Sequence, residues 1–581
     1  LEFLDLSRLI RRRIAAQVWV PLRMWETITT GNSRAPDFHE SFDGAHAIMV
    51  PHALRKYGEQ YSWSSSAEAR PWAEAGFYKA AEVYSHNMEI DAGVRPVLYQ
   101  SVDGPTQNVW HLNQDIVVAL GLIREGDRWL RPYEDYLEVV RMRRDDDGSP
   151  AAIEMRSEHL QDYLCARDCA LRIASYRSRT TIVEDLASTG FEEGSKIAEV
   201  EDGRLEAMAY AIGADGMRHG STVGVFHVSR NDVDPDDDVP TMGPETDRNT
   251  DARSWSFRRQ GEKRWRVSTE FWRDEWLEPA KASSRVRGDD VKSDQAFIID
   301  AGGARIGADK LDDEDIGQWL WFSPHAVASL AEKRDANLRW YTAETGGIET
   351  PGCRSIHFGV NAAGLVTVYA YDVATQPEWW RRHWAGFNVA PDGGVSAELL
   401  MSQVKAEPAE TTSAEDVFTA GLDELAAAWS ARFGQSIFRA HDDEANLRRR
   451  IHRFRALDDG GFLELAKDVA RLTADSIDAG AAQAVAPVSK GEKRGGLKSL
   501  EAALATLCSA EQARAVIGPL FGAYDLRMSD AHLPRSDREK EMRLVNATSN
   551  DRPIFAGEKM IFAVGNSLLK MAEIIKLADA A

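Results

Sequence analysis

Arg527-Met528-Ser529-Asp530-Ala531-His532 sits in a helix-patterned stretch and runs straight into Leu533-Pro534. An arginine supplies a fixed positive charge with a fork of donors, and a histidine supplies a group that titrates near neutral pH. Together they are the smallest set able to cut RNA without a metal. The guanidinium holds the scissile phosphate and the imidazole moves a proton at the ribose oxygens. Five positions on a straight helix differ by about 140° in direction, so the two side chains converge only where the helix ends or distorts. Pro534 disfavours helical geometry at Leu533, which places His532 at an expected helix terminus. There the helix dipole and a bound phosphate both favour the charged imidazole, which suits an acid role. Arg527 would neutralise the developing phosphorane, and Asp530 is spaced to orient the ring. The plain structural alternative pairs Arg527 with Asp525 or Asp530 and leaves His532 closing a helix end. The same spacing recurs at Arg34-Ala35-Pro36-Asp37-Phe38-His39, in a proline-containing loop with no helical frame.

Three basic clusters lie in the same third of the chain. Arg448-Arg449-Arg450 with Arg453 and Arg455 read as one arginine-rich helix. Lys490, Lys493, Arg494 and Lys498 crowd a polar loop, and Arg535, Arg538, Lys540 and Arg543 follow the Arg–His pair. The formal charge of the whole chain is −22, which opposes indiscriminate nucleic-acid binding and confines any such site to a local basic patch. Phosphate-backbone contacts are therefore assigned to Arg448, Arg449, Lys493, Arg494, Arg535 and Arg538, with RNA as the expected substrate. The alternative is a solvated face exchanging ion pairs with nearby carboxylates.

Other constellations imply less. His39, Glu40, Asp43, His46 and His52 have no spacing that builds a compact metal site, and the four cysteines suit neither a disulfide framework nor zinc. No metal and no cofactor is expected. Cys165 and Cys169 share a helical pattern; a reducing cytoplasm is the expected setting. Ala301-Gly302-Gly303-Ala304-Arg305-Ile306-Gly307 lacks the lysine–hydroxyl ending of a phosphate loop and reads as a tight turn. Trp379-Trp380-Arg381-Arg382-His383-Trp384 reads as aromatic core. The Asp232–Asp251 run reads as a charged surface loop. No stretch has the apolar length needed to span a bilayer, so no membrane partner is expected.

The elements that must hold these residues fall into two kinds. Residues 1–405 read as mixed α and β, built on antiparallel hairpins. One pairs Ser355–Val360 with Leu365–Tyr371 around Gly364, a second pairs Trp255–Arg258 with Arg264–Val267, and a third pairs Tyr136–Met142 with Ala152–Met155 around Gly148. A helix follows, capped by Ser157, with Leu160, Leu164 and Leu171 inward. Residues 406–416 form the expected linker. Residues 417–581 read as an all-α bundle: Phe418, Leu422, Leu425 and Trp429; Leu447, Ile451 and Phe454; Phe462, Leu465, Val469 and Leu472; Leu497, Leu500, Leu504 and Leu507; and Ile561, Val564, Leu568, Met571 and Ile575 repeat at helical spacing. Ser509-Ala510-Glu511-Gln512 reads as a capping box opening the segment with the Arg–His pair, and Pro519 is expected to kink it. The fold class is α+β.

With its long polar loop, its later helices and its Arg-x4-His pair, this bundle resembles the HEPN superfamily over roughly the last 130 to 165 residues. The resemblance implies a metal-independent endoribonuclease with Arg527 and His532 as its catalytic residues. It also implies a homodimer in which two such pairs face one composite cleft. Many active members carry Asn, Asp or His after the arginine, where this chain has Met528; other members only bind or dimerise. By that analogy the chain is expected to be an antiviral abortive-infection or toxin effector, regulated by an unknown trigger at its N-terminal region. The alternative is a non-catalytic binding or dimerisation protein.

Overall fold

The computed structural model describes residues 4–6, 11–65, 72–74, 77–79, 93–100, 109–200, 202–230, 250–259, 261–289, 294–311, 318–407, 409–440, 442–489, 491, 493–528 and 538–578. It divides into two compact units, Leu1–Pro132 with Tyr136–Val291, and Tyr133–Asp135 with Lys292–Ala581. Antiparallel sheet dominates the first; the second adds a helical C-terminal part to a smaller sheet, which makes the chain α+β. The divide lies upstream of the expected linker. That linker runs inside the second unit, where Thr411 donates to Glu398 at 2.7 Å and accepts from the Ala343 amide at 2.9 Å.

Unit 1 is organised by a ten-stranded antiparallel sheet, counted among the described residues. Its strands are β1 (Trp19–Thr30), β2 (His39–Pro51), β3 (Ile123–Glu125), β4 (Arg128–Arg131), β5 (Leu137–Arg144), β6 (Pro150–Arg156), β7 (Cys169–Val183), β8 (Gly194–Val200), β9 (Gly203–Ile212) and β10 (Arg264–Leu277). The order across the sheet is β8-β9-β10-β7-β2-β1-β6-β5-β4-β3. The β5–β6 hairpin matches the sequence expectation, with Ile153 opposite Met142 and Gly148 at φ 85°. Helix α1 (Ser157–Ala166) follows with Leu160 and Leu164 buried. Its N-cap is Arg156, without a side-chain bond.

Besides the expected Ser157 cap, two further expectations fail in this unit. Trp255–Arg258 does not pair with Arg264–Val267. It belongs to strand Thr250–Arg258, which pairs with Thr222–Arg230, whereas β10 runs between β7 and β9. Cys169 and Leu171 do not continue the helix of Cys165. Asp168 takes φ 53°, the chain leaves the helix, and both residues enter β7.

A row of residues crosses four adjacent strands: Trp25, Gly44, Tyr176 and Trp272 stand opposite one another on β1, β2, β7 and β10. Gly44 leaves a gap between the large rings, and the Trp63 indole fills it. Its ring stacks with Trp25 at 5.8 Å, Tyr176 at 5.6 Å and His46 at 4.9 Å. A Cβ at Gly44 would collide with Trp63 Cη2 and lie 2.7 Å from Phe42 Cε1, so glycine here makes the aromatic layer possible. His39 and His46 lie on β2, and Tyr61 Oη is 2.6 Å from His46 Nδ1. Among the described residues no group of three or more His, Cys, Asp or Glu side chains is placed to hold a metal ion.

Unit 2 begins with the hairpin Ala296–Ile298/Arg305–Gly307, so the glycine-rich stretch is the tight turn expected. A six-stranded antiparallel sheet follows: β11 (Trp319–Phe322), β12 (Asn337–Trp340), β13 (Thr345–Glu349), β14 (Ile356–Val360), β15 (Val366–Tyr369) and β16 (Asn388–Val389), in the order β12-β13-β14-β15-β11-β16. The β14–β15 hairpin turns at Gly364 with φ 70°, as its sequence predicts. Helices α2 (His325–Ala331), α3 (Glu378–Phe387) and α4 (Ala397–Val404) accompany this sheet. On α3, Trp380 and Trp384 are 1% and 0% exposed and belong to the core as expected, whereas Trp379 is 38% exposed.

The helical part comprises α5 (Ala414–Phe433), α6 (Glu444–Arg450), α7 (Asp459–Leu472), α8 (Ala479–Val485), α9 (Gly496–Leu504), α10 (Ala510–Met528), α11 (Glu539–Leu544) and α12 (Pro553–Leu577). The periodic residues named for α5, α7 and α12 are buried in one core, each contributing about 1.5–3 kcal/mol of transfer free energy. Ser413 caps α5 by accepting from the Asp416 amide at 3.0 Å. Helices α5 and α12 cross at Gly421 and Gly565, where a Cβ on Gly565 would lie 2.6 Å from the Phe418 backbone. The arginine-rich helix is shorter than its sequence suggests: α6 ends at Arg450, and Arg453 and Arg455 belong to a separate 3-10 turn. Helix α10 runs continuously through Pro519.

Candidate functional site

Ser509 opens α10, its hydroxyl accepting from the Gln512 amide at 3.1 Å. Ala513, Ile517, Leu520, Ala523 and Leu526 face the core, which fixes the rotation of the last turn. Arg527 emerges there beside the Tyr524 ring, its Cζ 5.2 Å from the ring centroid. Its Nη1 donates to the Asp475 carboxylate. Among the described residues its ion-pair partner is thus Asp475, not Asp525. The other guanidinium nitrogens have no partner among the described residues, and the side chain is 27% exposed.

Asp475 is held by its own backbone. Its amide donates to Ala470 O at 2.9 Å as the chain leaves α7. Arg439 donates to Ser476 O through its amide at 2.7 Å and to Asp475 O through Nη2. Asp478 then caps α8, accepting from the Gly480 and Ala481 amides at 2.8 and 3.1 Å.

These segments enclose a cavity of about 700 Å³ whose wall includes Arg439, Asp475, Asp478, Lys493, Lys498 and Tyr524. Phe521 and Asp525 complete the α10 side, and burial first, then the Glu541 charge, pushes the Asp525 carboxyl above its ordinary range. The first turn of α9 also opens here, through Gly495, Gly496 and Leu497, and its N-cap Gly495 supplies no side-chain bond. Three acids and three bases line the space, but they are not equally committed. Asp475 binds Arg527, Asp478 binds amides and Arg439 binds a carbonyl. Lys493 and Lys498 are exposed and have no ion-pair partner among the described residues. The uncommitted charge at the cavity is therefore positive. Arg527 itself is outside the cavity wall and meets it through its contacts with Asp475 and Tyr524, both of which line it.

The remaining residues expected at the site are scattered. Arg448 is spent on Glu444 at 2.8 Å and Asp423 at 2.9 Å, and Arg449 is exposed on α6 outside the cavity wall. Arg494 is half-buried; its carbonyl accepts from Gln483 at 3.2 Å and it does not line the cavity. Arg538 is a correction: it is 3% exposed at the start of α11, with Nε unpartnered among the described residues, so it offers no surface charge to a phosphate backbone. Arg453 is a second correction to the basic-patch reading, being buried against Glu415 and Glu558 at 2.8 and 2.7 Å. His532, Asp530 and Arg535 lie outside the described residues. Arg439, Asp475 and Tyr524 were not singled out from sequence; Asp475 is 52 positions from Arg527 and no local pattern links them.

Comparisons with protein-family models, curated protein sequences and solved structures give no match. Among the described residues no helix is long and apolar enough to cross a membrane.

Proposed function

We propose that the helical part of unit 2 is a metal-independent endoribonuclease, with Arg527 and His532 as its catalytic residues. The observation that supports this reading is the cavity lined by Asp475 and Tyr524, the two residues Arg527 contacts, with Lys493 and Lys498 at its wall and without an ion-pair partner among the described residues. A phosphate bound between this cavity and Arg527 would take charge from the lysines and donors from the guanidinium nitrogens that Asp475 leaves open. The ribose 2′-hydroxyl would give its proton to water, attack the adjacent phosphorus and displace the 5′-oxygen of the next nucleotide. The products are a 2′,3′-cyclic phosphate and a free 5′-hydroxyl, with His532 handing the proton to the leaving oxygen. A homodimer, bringing two Arg–His pairs to one cleft, and control by the N-terminal region in antiviral defence belong to the same proposal.

A second reading has its own support. Asp475 already occupies one nitrogen of Arg527, and Met528 follows it, so the bundle would bind RNA or a partner without cutting. Total RNA incubated with the purified chain in EDTA separates the two. The nuclease reading requires fragments ending in cyclic phosphate, lost in Arg527→Ala and His532→Ala. Intact RNA with the wild-type chain, or fragments unchanged in both folded variants, would sink it.

A further inference from the structure

A second cavity, of about 420 Å³, lies within unit 2 where α2, α7 and the 3-10 turn Arg453–Arg455 meet. Its apolar wall is Phe387, Phe454, Leu457 and Ala328. Its polar wall carries His452 and Arg455, with Glu332, Asp458 and Glu464 among the carboxylates. His452 is 5% exposed, and its Nδ1 is enclosed without a hydrogen-bond partner among the described residues; the same holds for Arg455 Nε. An enclosed polar atom left unpaired costs about 1–3 kcal/mol, so two at one cavity point to a group that supplies the missing bonds. Burial above all holds the His452 imidazole neutral, with its pKa down at about 4. It therefore offers one donor and one acceptor at neutral pH.

We infer that this cavity binds a small, uncharged or cationic heteroaromatic molecule of nucleobase or nucleoside type. The volume falls in the range of small-ligand sites, about 300–1,000 Å³. The phenyl groups of Phe387 and Phe454 suit a flat apolar body, and the open His452 Nδ1 and Arg455 Nε–H suit a ring whose edge carries polar atoms, an acceptor for the Arg455 Nε–H among them. Charge decides against a phosphorylated ligand. Three carboxylates face one guanidinium, and Arg455 is already bonded to Glu332 at 3.2 Å, so a dianion meets net repulsion. The site shares no lining residue with the cavity at Arg527 and does not depend on the nuclease reading.

The test is calorimetric titration of the full-length chain with adenosine, guanosine, cytidine and uridine, and with each 5′-monophosphate. At least one nucleoside is expected to bind with a Kd on the order of 1 mM or tighter, and its monophosphate at least about tenfold more weakly. Ser329→Leu, which fills the cavity from α2, and His452→Phe, which keeps a ring but no nitrogen, are each expected to weaken that binding at least about tenfold. Circular dichroism establishes that each variant folds; should His452→Phe fail to fold, Ser329→Leu carries the test alone. No binding by any of the four nucleosides, tighter binding of the monophosphates, or undiminished binding by the folded cavity variants would each overturn the inference.

Discussion

Replacing Arg453 by methionine tests how unit 2 is tied together. This guanidinium is almost wholly buried and bonds in three directions. Nε and Nη2 donate to Glu415 on α5 at 3.1 and 2.8 Å, Nη1 donates to Ala343 O beside the sheet at 2.9 Å, and the same nitrogen meets Glu558 on α12 at 2.7 Å. Its Cζ lies 4.1 Å from the Trp340 ring centroid. Burial pushes both carboxyls up. At Glu415 the Arg453 charge and hydrogen bonds outweigh burial and carry the pKa below its ordinary value, while at Glu558 burial prevails and the pKa stays raised. The cluster is thus chiefly one charge pair, Arg453 with Glu415, and a second carboxyl that holds its proton more readily. Methionine fills the aliphatic volume and removes every donor but the backbone amide, which keeps its 2.9 Å bond to Glu415. Stranding one buried carboxylate costs about 3–5 kcal/mol. For a unit this large that lowers its melting temperature by roughly 6–20 °C. Urea unfolding of the full chain, followed by the far-UV helical signal, measures the loss. Adding Glu415→Gln to Arg453→Met should recover a large part of it, because the stranded charge is gone. A single-variant loss below about 1 kcal/mol, or no recovery in the double variant, would refute the reasoning.

Gly44→Ala is expected to expel the Trp63 indole from its slot, costing about 1–3 kcal/mol and red-shifting tryptophan fluorescence; an unchanged spectrum would contradict the packing argument. His46 is held near pKa 3, by burial first and then by Arg95 and Arg23, against an ordinary value of 6.5. Its neutral form is the native one, so stability is complete above pH 6.5 and falls as pH drops from there toward 3, by about 1.4 kcal/mol per pH unit for this one group. His46→Phe should remove that slope from a pH series of urea melts. Lys493→Ala with Lys498→Ala should weaken single-stranded RNA binding and reduce the slope of log K against log salt by about 1.4, readable by fluorescence anisotropy. Together with the loss of cleavage in His532→Ala, these results address the Arg527 cavity from binding and from chemistry.

The helical part was legible because its signals are local. Apolar residues three and four apart name the buried faces of α5, α7 and α12, and Ser413 and Ser509 stand where their helices begin. The hairpins at Gly148 and Gly364 were legible for the same reason, alternation on either side of a positive-φ glycine. Partner choice at long range was not. Trp255–Arg258 and Arg264–Val267 carry similar alternation and are separated by a turn-like stretch, yet β10 finds its neighbours in β7 and β9. Nor does charge reveal burial. Arg453 and Arg455 belong by sequence to the same basic run as Arg449, but their partners Glu415, Glu558 and Glu332 come from distant elements, and only folding shows that these two arginines, unlike the exposed Arg449, are spent inside the unit.

The same distinction bears on Arg527. Its contact with Asp475 does not by itself decide between a structural and a chemical arginine. A guanidinium carries five donors in one plane, and a carboxylate bound at Nη1 leaves the Nε–Nη2 edge to a second anion. Binding one edge to a fixed carboxylate also locks the long side chain, which reduces the entropy lost when the other edge takes a phosphate. The backbone bonds from Asp475 to Ala470 and from Arg439 to Ser476 fix that carboxylate in turn. What the ion pair costs is attraction, since Asp475 cancels most of the arginine charge at short range. Lys493 and Lys498 are the groups placed to restore it, because they line the same cavity as Asp475 and have no carboxylate partner among the described residues. On a chain with a net charge of −22, such a pocket would draw RNA only where those lysines outweigh the surrounding field, so its affinity should depend steeply on salt.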